Sequence, residues 1–270
     1  MAVLPMTMVN ASNSNGSSRF AGRVVFVTGA GGGIGMAIAT RFSSEGAKVV
    51  LADLQTEQVE SIADRIMRGG GEALSTPLDV ADQESVAAAC AAAVERWGRL
   101  DVMVCNAGVR PVGSVLEQST SQFELALRVN VTGVFLCGQA AARQMVKQTS
   151  GAIVNIASVN GFRAVTGMAA YNASKAAVVS LTQTMASELA PLGVRVNAVA
   201  PAQTETPMIA EQVGEERRRR EERIPMGRYG KPLEIAAAIA YLASDDASFV
   251  NGHVLAVDGG YLGFGFRPSI

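Results

Sequence analysis

The feature that most constrains this chain is a series of short apolar runs that do not alternate with polar residues. They are VVFV (24–27), VVLA (49–52), VMVC (102–105), AIVNIA (152–157), VRVNAVA (194–200) and VLAV (254–257), with a weaker ALSTPL at 73–78. A strand with one wet face alternates apolar and polar side chains, whereas a continuous β-branched run needs apolar cover on both faces. Helical patterns fill the intervals at 34–45, 56–68, 82–97, 121–148, 169–190 and 233–244. Strand–helix alternation of this kind predicts an α/β fold: a Rossmann-like, doubly wound parallel sheet of about seven strands in a three-layer α/β/α stack.

No internal repeat or composition break divides residues 21–270, which read as one domain. The polar NASNSNGSS stretch makes residues 1–20 a flexible tail by composition. The charged segment 202–225 lies where a connection is normally short, so it reads as a lid inserted beyond the carboxyl end of a strand. Within it, EERRRREER has the character of a solvated helix face.

The 270 residues are 49% hydrophobic and 17% charged, with a net charge of −1. That balance favours a large core and gives no reason to expect a nucleic-acid or membrane partner. No apolar run reaches the roughly 18–20 residues expected of a membrane span, and MAVLPMTMV lacks the basic start of a secretory leader. Cys90, Cys105 and Cys137 are scattered and odd in number, which suits a reducing, cytoplasmic compartment. A single histidine, His253, argues against a histidine metal site or a Ser-His-Asp triad, so no metal is expected.

VTGAGGGIG (27–35) follows the first strand and opens the first helix. Gly29, Gly33 and Gly35 can take φ > 0 or let backbone approach a ligand, and a helix N-terminus offers N–H groups to a phosphate. Asp53 ends the second run, where a carboxylate would accept hydrogen bonds from an adenosine ribose and repel a 2′-phosphate. No basic residue occurs within 29–35 or directly after Asp53, which favours NAD over NADP. Read alone, Asp53 is equally a turn residue, and Asp79 either contacts adenine or begins the next connection.

Tyr171 and Lys175 stand at i, i+4 spacing among alanines in AAYNASKAAV, one face of a helix. With TGAGGGIG, Asp53, LDV, NAG (106–108), Asn130 in RVNVTG, Ser158 in NIAS, YNASK (171–175), NAVAPAQTETPM (197–208) and VDGG (257–260), all in order, the chain resembles a classical short-chain dehydrogenase/reductase over residues 20–262. The resemblance implies that Gly29, Gly33, Ile34 and Gly35 cradle a pyrophosphate, Asp53 holds the ribose and Asp79 with Val80 the adenine. Asn106, Ala107 and Gly108 would flank the cofactor, and Pro201, Thr204 and Thr206 would meet its nicotinamide side. Two departures stand out: Cys105 where relatives often carry Asn, and Pro201-Ala202 where they usually carry Pro-Gly.

The resemblance also implies the chemistry. A phenol with an ordinary pKa of about 10 is a poor base, and a nearby ammonium favours its ionised form by roughly 1–3 pH units. Tyr171 would then exchange a proton with the substrate hydroxyl, and Lys175 would tune it and hold the nicotinamide ribose. Ser158 would hold the substrate oxygen, and Asn130 would support a water-mediated proton path from Lys175. Asn160, Arg163 and Gln203, with Arg110, Thr204 and Glu205, are the candidate substrate contacts. This polar set points to a sugar, polyol or small hydroxy compound. Arg110 and Arg163 are candidates to clamp an anion, with a solvent-facing position the expected alternative.

A 3-oxoacyl-thioester reductase is the rival activity, and a non-catalytic cofactor-binding protein the rival class. The intact Ser158, Tyr171 and Lys175 speak against the latter. A homo-oligomer, tetramer or dimer, is implied by resemblance, with YLGFGF (261–266) as a surface for a partner subunit or for its own domain.

Overall fold

A computed structural model describes residues 18–263. Seven strands form one parallel sheet: β1 (Val24–Thr28), β2 (Lys48–Asp53), β3 (Glu72–Pro77), β4 (Val102–Cys105), β5 (Gly151–Ile156), β6 (Val194–Pro201) and β7 (Val254–Val257). Their order is β3-β2-β1-β4-β5-β6-β7, in register at Val25↔Val49, Val25↔Val102 and Val104↔Val154. The helices are α1 (Gly33–Ser44), α2 (Thr56–Arg68), α3 (Gln83–Trp97), α4 (Thr120–Leu127), α5 (Gly133–Gln148), α6 (Ala169–Leu189), α7 (Gly214–Glu221) and α8 (Pro232–Ala243).

The non-alternating runs are explained by two separate cores. Val24, Phe26, Val50, Met103 and Ile153 point to one face and pack with Val86 of α3, Ala141 of α5 and Val178 of α6. Their strand neighbours Val25, Val27, Leu51, Val104 and Val154 point to the other and meet Phe42 of α1, Ile62 of α2 and Ile239 of α8. Each fully buried Val, Ile, Leu or Phe contributes roughly 1.5–3 kcal/mol, so alternation would forfeit one of the two cores. The edge strand β3 is only partly covered, which accounts for its weak apolar signal.

Two boundaries differ from the sequence reading. Phe20, assigned there to the tail, is fully buried and packs edge-to-face on Phe42 with ring centroids 4.7 Å apart. Arg19 of the same stretch pairs with Glu45 at 2.7 Å, and residues 1–17 of the tail lie outside the described residues. The helix expected over 121–148 is interrupted by a π turn at Arg128–Thr132 that separates α4 from α5. By length and composition alone Thr120–Gln148 is long and apolar enough to cross a bilayer. In the fold, Val134, Cys137, Ala141, Ala142 and Met145 of this stretch lie in the core.

β1 and β4 are neighbours although β2 and β3 intervene in sequence, so connections leave in opposite directions here and a crevice opens at their carboxyl ends. Thr28 and Asn106 tie the two ends together. Thr28 Oγ1 accepts from the N–H groups of Asn106 (2.9 Å) and Ala107 (3.0 Å), and Asn106 Nδ2 donates to the carbonyls of Thr28 and Gly29, both at 2.9 Å. Gly29 has φ +64°, and a Cβ there would lie 2.8 Å from Ala107 Cα. A Cβ on Gly35 would lie 2.0 Å from the Gly29 carbonyl oxygen, so α1 can start this close to β1 only with glycine at that position. Gly35→Ala is therefore expected to lower stability by about 1–3 kcal/mol in chemical denaturation, while Gly32→Ala, with open space at its Cβ, stays within about 0.5 kcal/mol; equal stabilities for the two variants would refute the close-packing role of Gly35.

Candidate active site

A cleft of about 850 Å³ runs along the carboxyl ends of β1, β2, β4, β5 and β6 and is walled by the 201–220 segment. Its first part is the glycine turn. No side chain caps α1, and its first turn carries no acidic residue, so its leading N–H groups remain available to a phosphate. Gly29, Gly31, Gly32, Gly33 and Ile34 line the cleft. Gly31 N–H donates to Asp53 Oδ2 at 2.9 Å, and a Cβ on Gly31 would reach that same oxygen at 2.9 Å. Gly35 is not among the lining residues, and its place is the helix–strand contact rather than the pyrophosphate cradle expected for it.

Asp53 is the carboxylate at this end, with Leu54, Gln55 and Gln58 around it, followed by Asp79 and Val80 beyond β3. Asp79 Oδ1 accepts from Ala81 N–H at 2.9 Å, which holds the loop. Asn106, Ala107 and Gly108 form the floor, and Pro201, Ala202, Gln203, Thr204 and Thr206 the opposite wall. A Cβ on Gly33 would meet the Thr206 side chain at 3.3 Å, so the lid begins directly across from the glycine turn. Ala202 keeps a negative φ, and the absent glycine is no obstacle to this turn. Cys105 is buried, its thiol pushed up to about 12 by burial, and it plays a core role beneath the floor. A cradle open to backbone approach, an uncapped helix start and an acidic ribose-side group together fit a nicotinamide dinucleotide.

The reacting groups come from two elements. Ser158 follows β5 and begins a short 3-10 turn, its Oγ accepting from Asn160 N–H at 3.2 Å. A Cβ on Gly161 would sit 2.8 Å from the Lys175 carbonyl, so this turn lies hard against α6. Tyr171 and Lys175 project from α6 into the same cleft. Lys175 Nζ donates to the Ile156 carbonyl at 2.7 Å and lies 5.7 Å from the centroid of the Tyr171 ring. Lys175 is only 4% exposed, and burial lowers its pKa to about 8.

The electrostatics of Tyr171 differ from the sequence expectation. Burial raises its pKa; hydrogen bonding with Ser158 and the charge of Arg110, not of Lys175, oppose that rise. Asn130 also differs. Its side chain is fully buried and lies outside the cleft. It accepts from Val109 N–H (2.8 Å) and donates to the Val109 carbonyl and Ser174 Oγ (both 2.9 Å), fixing the Gly108–Arg110 loop to α6.

Asn160, Gln203 and Arg110 line the cleft. Arg110 is not solvent-facing: its side chain is 12% exposed. Arg163 falls outside the cleft and donates to the Leu262 carbonyl at 3.4 Å, and Glu205 pairs with Arg217 at 2.6 Å, away from the lining. The lid contributes Met208, Ile209, Gln212 and Arg220, which the sequence reading did not single out. Their only sequence signal was membership of the inserted segment, and Arg220 sat within a run read wholly as solvated. Tyr261 packs with Ile224 and Tyr229 of its own domain; residues 264–266 of YLGFGF lie outside the described residues.

Residues 29–262 match the family profile described as enoyl-(acyl carrier protein) reductase. The chain is 44% identical to meso-2,3-butanediol dehydrogenase of Serratia marcescens, over 93% of this chain and 99% of the relative. The chain belongs to the classical short-chain dehydrogenase/reductase family. It is also 43% identical to cis-4-hydroxycyclohexanecarboxylate dehydrogenase of Sinomonas cyclohexanicum (90% of this chain, 97% of the relative). Identity is 39% to a 3-oxoacyl-[acyl-carrier-protein] reductase of Thermotoga maritima (90% and 98%). The solved structure of levodione reductase superposes with a TM-score of 0.85 at 38% identity, covering 89% of this chain and 98% of that one. As a member of this family the protein is an oxidoreductase acting on CH–OH groups.

In the unfolded chain Lys175 has a pKa near 10.5, so between pH 8 and 10.5 the unfolded state binds more protons and stability rises with pH across that window. Below it the cost of burying the ammonium is constant. Lys175→Met lacks that cost, so its Tm advantage over the parent is expected to be larger at about pH 7 than at about pH 9.5. Equal offsets in thermal unfolding at the two pH values would show that burial does not lower this pKa.

Proposed function

We propose that this protein is an NAD-dependent dehydrogenase interconverting a secondary alcohol and a ketone on a small hydroxy compound, with Tyr171 as general acid/base. The observation that carries it is the convergence of Ser158, Tyr171 and Lys175 at one end of a cleft whose other end presents Asp53. Among the described residues, the cations lining the cleft are Arg110, Lys175 and Arg220, none of them near Asp53 in sequence or in the glycine turn. A 2′-phosphate would face that carboxylate without a counter-charge, which supports NAD.

The bound nicotinamide ring accepts or supplies the hydride. Ser158 Oγ holds the substrate oxygen against Tyr171, and Tyr171 takes the hydroxyl proton on oxidation or returns it on reduction. Lys175, anchored by the Ile156 carbonyl, keeps a positive charge beside the phenol and can reach the ribose. Any part of Asn130 in a proton path falls to its main chain, because its side chain is committed to Val109 and Ser174.

The relatives named for butanediol and for hydroxycyclohexanecarboxylate support a compact substrate, and Asn160, Gln203 and Gln212 support a polar one. The three free, buried cysteines suit a reducing cytoplasm. Phe123, Leu125 and Phe135 are exposed on α4 and α5, as a homo-oligomer would require; a monomer by light scattering would remove that inference.

Initial rates of NAD⁺- and NADP⁺-linked oxidation across diols, polyols, hydroxy acids and 3-hydroxyacyl thioesters test the assignment. Small alcohols with NAD⁺ should be preferred; preference for thioesters with NADP⁺ would install the 3-oxoacyl reductase instead. Tyr171→Phe should cut turnover by about 10²–10⁴-fold while NADH binding persists. Asp53→Ala should weaken NAD⁺ binding about tenfold and narrow the preference over NADP⁺. Undiminished turnover in the first variant, or an unchanged cofactor preference in the second, would refute the respective role.

A further inference from the structure

The cleft is electrostatically lopsided. Its carboxylates, Asp53 and Asp79, lie at the β2–β3 end. Away from that end Arg110 and Arg220 line it, and among the described residues no Asp or Glu lines it there. Arg220 pairs with Glu216 one turn earlier on α7 and is 25% exposed.

Arg110 is the more telling of the two. Both of its hydrogen bonds leave from Nη2, to the Met208 carbonyl (2.8 Å) and to Glu211 Oε1 (2.7 Å). Its Nε–H is buried and has no acceptor among the described residues. A guanidinium has five N–H donors, and its Nε and Nη2 share one edge that matches the two oxygens of a carboxylate. Here one nitrogen of that edge is held by Glu211 and the other is orphaned. A buried donor without a partner costs roughly 1–3 kcal/mol. Glu211 is 61% exposed and belongs to the lid, so it can yield its place. Arg110 and Tyr171 line the same cleft, and the charge of Arg110 acts to lower the pKa of the phenol.

We propose that the substrate carries a carboxylate, gripped side-on by Nε and Nη2 of Arg110 in place of Glu211, and that this protein is a dehydrogenase of hydroxy acids. The inference rests on the secondary-alcohol reading above and narrows it. Glu211 then acts as an internal stand-in that the substrate displaces, with the Met208 carbonyl keeping the guanidinium aimed into the cleft. Lys175 is held toward the Ile156 carbonyl by one of its three N–H donors, and the two that remain serve the phenol and ribose side of the cleft in this reading.

The test compares a series of hydroxy acids, with one to five carbons between carbinol and carboxylate, against their methyl esters. Initial rates are taken with NAD⁺ for the parent, Arg110→Gln, Arg110→Lys and Glu211→Gln. For at least one acid the parent should prefer the acid over its ester by about 10- to 100-fold in kcat/KM. Arg110→Gln should abolish that preference through KM, and Arg110→Lys should retain part of it. Glu211→Gln should lower KM for the acid, since it removes the competing carboxylate.

Three results would overturn the proposal: no acid preferred over its ester, Arg110→Gln impairing acid and ester alike, or Glu211→Gln reproducing the Arg110→Gln loss. The last two would mean that Arg110 only ties the lid shut. Oxidation of neutral diols without any acid preference would refute this inference and leave the secondary-alcohol reading standing. Failure to oxidise any alcohol with either dinucleotide would refute both.

Discussion

The cleft depends on the tie between the ends of β1 and β4. These strands are neighbours in the sheet, but the chain leaves them in opposite directions, so nothing covers their carboxyl ends. Left free, the two strand ends would splay and expose unpaired backbone groups. Thr28 and Asn106 satisfy those groups reciprocally, and Gly29 lets Ala107 approach within contact of the turn. Pyrophosphate cradle and cleft floor are thus parts of one hydrogen-bonded junction. Asn130 extends it by locking the next loop to α6, which aligns Arg110 on one side and Tyr171 on the other.

A second constraint is the burial of charge. Lys175 sits almost without solvent contact, bonded to a main-chain carbonyl, and an ammonium in that position is tolerated because the carbonyl dipole compensates part of its lost hydration. The same burial works against ionisation of Tyr171. Two opposed effects, desolvation and a nearby cation, therefore meet on a single phenol. That cation is Arg110 rather than Lys175, a residue on a different loop and tied to the lid.

Much of this was legible in the sequence, and for identifiable reasons. Continuous apolar runs declared a sheet buried on both sides, because alternating side chains had to enter two cores. Glycines at 29 and 35 were legible because no other residue fits where the backbone atoms meet. Ser158, Tyr171 and Lys175 were legible because strand end and helix face fix their directions locally. Arg163 was placed in the site from resemblance and Gly35 from the spacing of the glycine turn, and the fold gave them other work. Phe20 was hidden by its polar neighbours, since one aromatic after a low-complexity stretch carries no periodicity. The π turn around Asn130 left no mark on the helical pattern of 121–148.

By itself the sequence determined the layer order, the glycine turn and the Tyr171–Lys175 pairing on one helix face, all of which follow from local backbone geometry and side-chain period. Only the tertiary structure decided which charges share the substrate end. Arg110 is far in the chain from Met208 and Glu211 and meets them because the lid folds back over the β4 loop. Such a meeting depends on the path of the lid across the cleft, and no spacing rule within a single helix or strand encodes that path.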